Sequence, residues 1–286
     1  MRQDMVKVGI VGCSNGLRET YANKIQELEQ TLLNMGVQPV FSDCIYAKNE
    51  VFSGSAKDRA DALMKLYGDE EIREIFDISG GDVANGVLPY LNYHVIAESG
   101  KRFWGYSDLT TVINAIYAKT GKASVLYQIR NLISKDGEQQ IQDFRNTVLE
   151  NGTDLFQITY HFVQGKEMQG IVVGGNIRCF LKLAGTEYMP DLTDKILLLE
   201  ANSGTVAQIE TYLCQLQQLG AFEKIAGILL GTFTQMETEQ CTPDAATLVR
   251  KIAGCNLPVA VTKDIGHGTD TKAIVIGQKL HLKEQQ

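Results

Sequence analysis

The stretch Phe103-Trp104-Gly105-Tyr106-Ser107-Asp108-Leu109 places a hydroxyl where an apolar run gives way to a helical pattern. A serine in that position has two uses. It can cap the helix, since its oxygen accepts a backbone N–H from the first turn. It can also be a nucleophile at a helix N-terminus, where backbone amides and the helix dipole favour negative charge on a tetrahedral intermediate. The G-x-S-x-G signature of ordinary α/β-hydrolases is absent, because Leu109 stands where the last glycine belongs. A nucleophilic serine needs a base and a group that orients the base. Of the four histidines (His94, His161, His267 and His281), His267 has the best setting. It lies in Asp264-Ile265-Gly266-His267-Gly268-Thr269-Asp270, just beyond an apolar strand. Open α/β sheets place ligands at such carboxyl ends. A solvated loop histidine fits the same local pattern. Glu200 closes the apolar run Lys195-Ile196-Leu197-Leu198-Leu199. A buried carboxylate there is costly unless paired, and an imidazole is a natural partner. A solvent-facing strand terminus fits equally well.

Two glycine turns accompany these residues. Ser79-Gly80-Gly81-Asp82 follows the run Ile72 to Ile78. Paired glycines allow positive φ and close backbone approach, so such a turn can aim N–H groups at an oxyanion, although most paired glycines only turn the chain. Gly9-Ile10-Val11-Gly12-Cys13-Ser14-Asn15-Gly16 has the spacing G-x-x-G-x-x-x-G. That is neither the dinucleotide fingerprint nor a P-loop, so it reads as the first turn of an α/β sheet.

The elements that must hold these groups alternate. Strands are expected at Val6 to Gly12, Val37 to Phe41, Ile72 to Ile78 and Phe103-Trp104. Helices are expected at 18–35, 56–68 and 108–119, with a short helix or turn at 87–98. This alternation predicts a parallel sheet covered on both faces. From 131 to 168 the pattern weakens, and the polar stretches SKDGEQQ and LENGTD mark a linker between a 1–130 domain and a smaller 169–286 domain. The second half resumes with strands at Gly170 to Gly175, Lys195 to Leu199, Ile225 to Gly231, Val259 to Thr262 and Lys272 to Ile276. Its helices are expected through Phe180 and Leu183, at 205–219 and at 243–253, while His281 falls in a charged tail.

Composition narrows the class. The chain has 286 residues with 44% hydrophobic content, enough for a substantial core. Its net charge of −7 disfavours a nucleic-acid partner, which would require a basic face. No apolar run is long enough to span a bilayer, and the first residues do not read as a signal peptide. Cys13, Cys44, Cys179, Cys214, Cys241 and Cys255 are scattered without a C-x-x-C pair, so neither a disulfide framework nor structural zinc is expected. A reduced cytoplasmic protein is the simplest reading.

Taken together, these stretches resemble the LD-carboxypeptidases, the serine peptidase family that includes the microcin C self-immunity proteins. The likeness runs through FSGSAKDRADALMKLYGDEEIREIFDISGG, GGDVANGVLPYLNYHVI and FWGYSDLTTVINAIYAKTG. It continues through GIVVGGNIRCFLKLAGTEYMPDLTDKILLLE and DIGHGTDTKAIVIGQK. The resemblance implies a two-domain α/β fold and a serine triad. Ser107 would be the nucleophile, His267 the general base and Glu200 its orienting carboxylate. Gly81 and Asp108 would donate backbone N–H groups to the oxyanion, with Gly80 and Asp82 beside the substrate. No metal or cofactor is implied, and homodimers are common in the family. The implied substrate is a murein tetrapeptide, cut between the L-centre of a diamino acid and D-alanine. An immunity-type hydrolase of peptidyl or aminoacyl nucleotides and a non-catalytic small-molecule binder are the competing readings. The chain departs from the family at Val125-Leu126-Tyr127-Gln128, where an aromatic-His-Gly-Pro stretch is usual, and at Ala201-Asn202-Ser203.

Overall fold

The computed structural model describes residues 5–284. The first half builds strand β1 (Val6–Val11), helix α1 (Ala22–Asn34), β2 (Val37–Phe41), α2 (Ala56–Gly68) and β3 (Ile72–Asp77). It continues with α3 (Tyr93–Glu98), β4 (Arg102–Gly105), α4 (Thr110–Thr120) and β5 (Ser124–Leu126). Local chemistry sets the helix ends. Ser55 and Asp58 form a reciprocal capping box on α2, satisfying two N–H groups that the helix itself cannot. Gly121, at φ 71°, closes α4 in the left-handed region. β1 to β5 pair in parallel. Buried residues such as Val8, Ile10, Ile75 and Phe76 on both faces explain the unbroken apolar runs.

The expected linker region is ordered. Helix α5 (Gly137–Phe144) and the turns that follow pack Phe144, Val148 and Leu155 against Phe76 and Trp104 of the first sheet. The second half then adds β6 (His161–Gln164), β7 (Glu167–Asn176), α6 (Ile177–Leu181), β8 (Lys195–Ala201) and α7 (Val206–Gln218). After β9 (Gly227–Phe233) come α8 (Thr234–Thr238), α9 (Ala245–Ala253), β10 (Val259–Val261), β11 (Ile274–Ile276) and β12 (Lys279–Lys283).

There are two six-stranded sheets among the described residues, ordered β11-β5-β4-β3-β1-β2 and β12-β7-β8-β9-β10-β6. In the second, β7 to β10 run parallel along β7-β8-β9-β10, flanked by antiparallel β12 and β6. β11 belongs to the first sheet although it comes from the end of the chain, and it pairs antiparallel with β5. The fold is thus α/β in two layered units, with the last segment of one returning to the other. Among the described residues, no helix is long and apolar enough to cross a membrane.

Candidate active site

The residues singled out by sequence lie at the carboxyl ends of strands from both sheets, where open α/β folds leave a crevice. Ser107 follows β4 and opens a single turn of 3-10 helix, Ser107–Leu109, that runs into α4. Its side chain caps nothing, since neither the short turn nor α4 has a side-chain cap. Ser107 instead adopts φ 54°, a left-handed conformation that costs a non-glycine residue on the order of 1–3 kcal/mol and clusters at functional sites. Its Oγ stands 3.2 Å from Nε2 of His267. The other ring nitrogen, Nδ1, lies 2.7 Å from Oε2 of Glu200. Ser107 Oγ, His267 and Glu200 therefore form one continuous hydrogen-bonded line from the first sheet to the second.

Glu200 is not at a solvent-facing terminus. β8 runs on to Ala201, and the glutamate is fully buried. Its second oxygen has no hydrogen-bond partner among the described residues, so the imidazole is the one group seen to offset the cost of that buried carboxylate. His267 is likewise not a solvated loop histidine, since its side chain is only 12% exposed. Tyr106 covers it, with ring centroids 4.6 Å apart, and donates its hydroxyl to the carbonyl of Gly266. Burial, and then the charge of Glu200, push the Tyr106 phenol well above its ordinary range, which keeps it protonated as a donor. Gly266 itself must be glycine, because a Cβ there would sit 1.7 Å from Oγ1 of Thr232.

The Gly80-Gly81 turn and Ser107 line the same cleft, whose volume is about 460 Å³. Gly81 has φ 124°, and a Cβ on it would meet Asn15 at 2.3 Å. The Asp108 N–H belongs to the first turn of its helix, where amides lack intrahelical partners. Both amides are therefore placed in segments that can present donors to the cleft. The Asp108 side chain has a separate job. Fully buried, it accepts from Ser14 Oγ at 2.6 Å, Ala84 N at 2.8 Å and Lys182 Nζ at 2.5 Å. That ties the Ser107 turn to the first sheet and to the end of α6.

Asp82 does not reach the cleft as expected. Its carboxylate is drawn outward into an ion pair with Arg178, and that partner, ahead of everything else, lowers its pKa. The fold brings in further residues. Gln128 and Asn202, which lie in the two stretches that depart from the family, line the cleft, and the departures were the available signal for them. Arg130, two residues past the first of those stretches, lines it as well. Lys182 and Tyr106 carried no such signal. Among the described residues, no three His, Cys, Asp or Glu side chains are placed to hold a metal.

Comparison with known proteins decides the family. Residues 8–127 match the LD-carboxypeptidase N-terminal domain, and residues 169–282 match the LD-carboxypeptidase C-terminal domain. The chain belongs to the LD-carboxypeptidase family. It is a serine peptidase-type hydrolase. It is 27% identical to the microcin C7 self-immunity protein MccF of Escherichia coli, over 80% of this chain and 76% of that one. MccF in complex with aspartyl sulfamoyl adenosine superposes with a TM-score of 0.85 at 21% identity, over 100% of this chain and 97% of the other. An MccF-like protein from Bacillus anthracis superposes at 0.87 with 25% identity, over 99% and 95% of the two chains. The muramoyltetrapeptide carboxypeptidase of Oxalobacter formigenes superposes at 0.81 with 21% identity, over 98% and 95%.

Proposed function

We propose that this chain is a cytoplasmic serine carboxypeptidase that cuts the L,D-peptide bond of a murein tetrapeptide and releases D-alanine. The observation that carries the reading is the line from Ser107 Oγ through His267 to Glu200, at 3.2 and 2.7 Å. In the reaction, His267 Nε2 takes the Ser107 proton as Oγ attacks the carbonyl carbon. Glu200 holds the Nδ1 proton and stabilises the imidazolium. The N–H groups of Gly81 and Asp108 receive the oxyanion, and a donor of this kind is worth about 10²–10³ in kcat. The imidazolium then gives its proton to the departing amine, which leaves an acyl group on Ser107. Water, deprotonated by His267, attacks that ester and frees both the acid and the serine. All six cysteines are free, which fits a reducing compartment.

A second reading draws on the likeness to MccF, which has been solved with an aminoacyl sulfamoyl adenosine. The same residues would then hydrolyse the amide that joins an amino acid or peptide to a nucleotide-like group. Mass spectrometry separates the two. Wild type and Ser107→Ala are incubated with murein tetrapeptide and, separately, with aspartyl sulfamoyl adenosine. Loss of D-alanine by wild type alone supports the carboxypeptidase. Cleavage of the adenosine compound alone moves the protein to the immunity reading. Absence of product from both rejects both and leaves a binding role.

A further inference from the structure

Arg130 is an unmatched, half-buried cation in the cleft that Ser107 and His267 line. It sits in the 3-10 turn Ile129–Ile133, directly after β5. That turn is fixed on both sides of the arginine. Ile129 and Leu132 are buried in the core, and the Gln128 side chain accepts the Arg130 N–H at 3.2 Å. The side chain is half-buried and lines the same cleft as Ser107 and His267. Its Nε is withdrawn from solvent and unbonded, and the guanidinium makes no ion pair or side-chain hydrogen bond among the described residues. The cations beside the cleft are already committed, Arg178 to Asp82 and Lys182 to Asp108. Arg18, which also lines the cleft, is exposed. Asp77 and Tyr21 act on Arg130 through their fields and partly oppose the lowering of its pKa by burial. Asp77 makes no hydrogen bond to it; its oxygens accept from Cys13 N, Ser79 N and Ser79 Oγ.

A guanidinium carries five donors and stays charged at any physiological pH. Desolvating it without partners is costly, so the fold holds an unfilled demand for an anion in the cleft that Ser107 lines. Planar donors match a carboxylate two bonds at a time. Every substrate of a carboxypeptidase presents a free carboxylate at its C-terminus. Resting on the carboxypeptidase reading, we infer that Arg130 binds the terminal carboxylate of the residue to be released and so selects chain ends over internal bonds.

The test compares a murein tetrapeptide with the same peptide ending in a carboxamide. Wild type should favour the carboxylate in kcat/KM by roughly 10- to 100-fold, the worth of a charge-assisted bidentate contact. Arg130→Met should abolish most of that preference by slowing the carboxylate peptide far more than the amide. Arg130→Lys should restore part of it. Equal slowing of both peptides by Arg130→Met, or no preference in wild type, overturns the inference. Binding is measured separately by calorimetry on Ser107→Ala and on Ser107→Ala with Arg130→Met, using the same two peptides. A carboxylate preference in the first protein that vanishes in the second supports the inference even if neither peptide is hydrolysed, an outcome that would reject only the proposed reaction. Equal affinity for both peptides overturns it.

Discussion

Asn114 is one of the side chains that join the two halves of the site, and its removal has a calculable cost. β12 pairs with β7 only over Glu167 to Ile171, which leaves the outer edge of β7 without a strand partner as it approaches the cleft. Side chains of α4 take over. Asn114 donates to the Gly174 carbonyl and accepts the Gly174 N–H, both at 2.8 Å, and Thr110 Oγ1 accepts the Asn176 N–H at 3.1 Å. Asn114 is fully buried. Asn114→Leu keeps the branched shape but orphans both Gly174 groups, at about 1–3 kcal/mol each. Its third bond, to the Thr110 carbonyl, adds little because that carbonyl already lies within α4. Leucine returns about 0.5 kcal/mol in helix propensity, so the net loss is about 2–5 kcal/mol. Urea denaturation followed through Trp104, the one tryptophan, reads this directly. With m near 3 kcal/mol/M the midpoint falls by roughly 0.7–1.7 M at unchanged m. Turnover should fall as well, since α4 carries the Ser107 turn and Asn176 is in register with Glu200. A misplacement near 1 Å costs about 10²-fold. A midpoint within about 0.2 M of wild type would refute the edge-capping argument. A destabilised variant with full kcat would refute its link to catalysis.

Two further perturbations follow from the geometry. Ser107→Gly should eliminate turnover yet raise stability by up to about 1 kcal/mol, because glycine accepts the φ of 54° without strain; a thermal melt in which Ser107→Gly is no more stable than Ser107→Ala would count against strain at the nucleophile. Alkylation of the native protein at pH 8 should modify Cys255, the exposed cysteine, while Cys13, Cys44 and Cys179 stay unmodified until the chain is unfolded. Burial raises the pKa of all three buried thiols and so suppresses the reactive thiolate. Rapid native labelling of Cys13 in a peptide map would contradict that packing.

Where one side chain decides a local conformation, the sequence is legible. The expected 56–68 helix is Ala56–Gly68, held by the Ser55 capping box. The glycines around His267 and the apolar run before Glu200 single those residues out, although a solvated loop and a solvent-facing strand end fit the same patterns. Legibility fails where burial is polar. The segment 131–168 reads as a linker because α5 presents Gln140 and Asp143 inward, and both are nearly fully buried. Gln140 is satisfied by the Tyr127 hydroxyl and the Thr271 carbonyl, and Asp143 by Lys272. Such partners are distant in sequence, so a packed helix imitates a solvated one. β12 fails for a different reason. It is an edge strand held by backbone pairing with β7, and only Leu282 is buried. Almost any sequence can make that contact, and the charged tail conceals it.

Strand exchange is the feature that local pattern does not encode, and it explains how a site split between two sheets can be precise. Ser107 and His267 are 160 residues apart. The His267 loop leaves β10 of the second sheet and enters β11 of the first, so each sheet holds one of its ends. Within the loop, Lys272 N bonds to the Asp264 carbonyl at 2.7 Å, and Thr271 Oγ1 bonds to the Gly268 carbonyl at 3.0 Å. Asn131, from the turn that carries Arg130, donates to Thr271 Oγ1 at 3.1 Å. A loop fixed at one end could swing with its own sheet and take the imidazole away from the serine. Fixed at both ends, it has to move with Ser107 and Glu200 together. The nucleophile then gains a base whose position is determined by the sheet that carries Ser107 as much as by the sheet that carries Glu200. A catalytic line assembled across two sheets needs that constraint, because an imidazole displaced by about 1 Å loses most of its value as a proton acceptor.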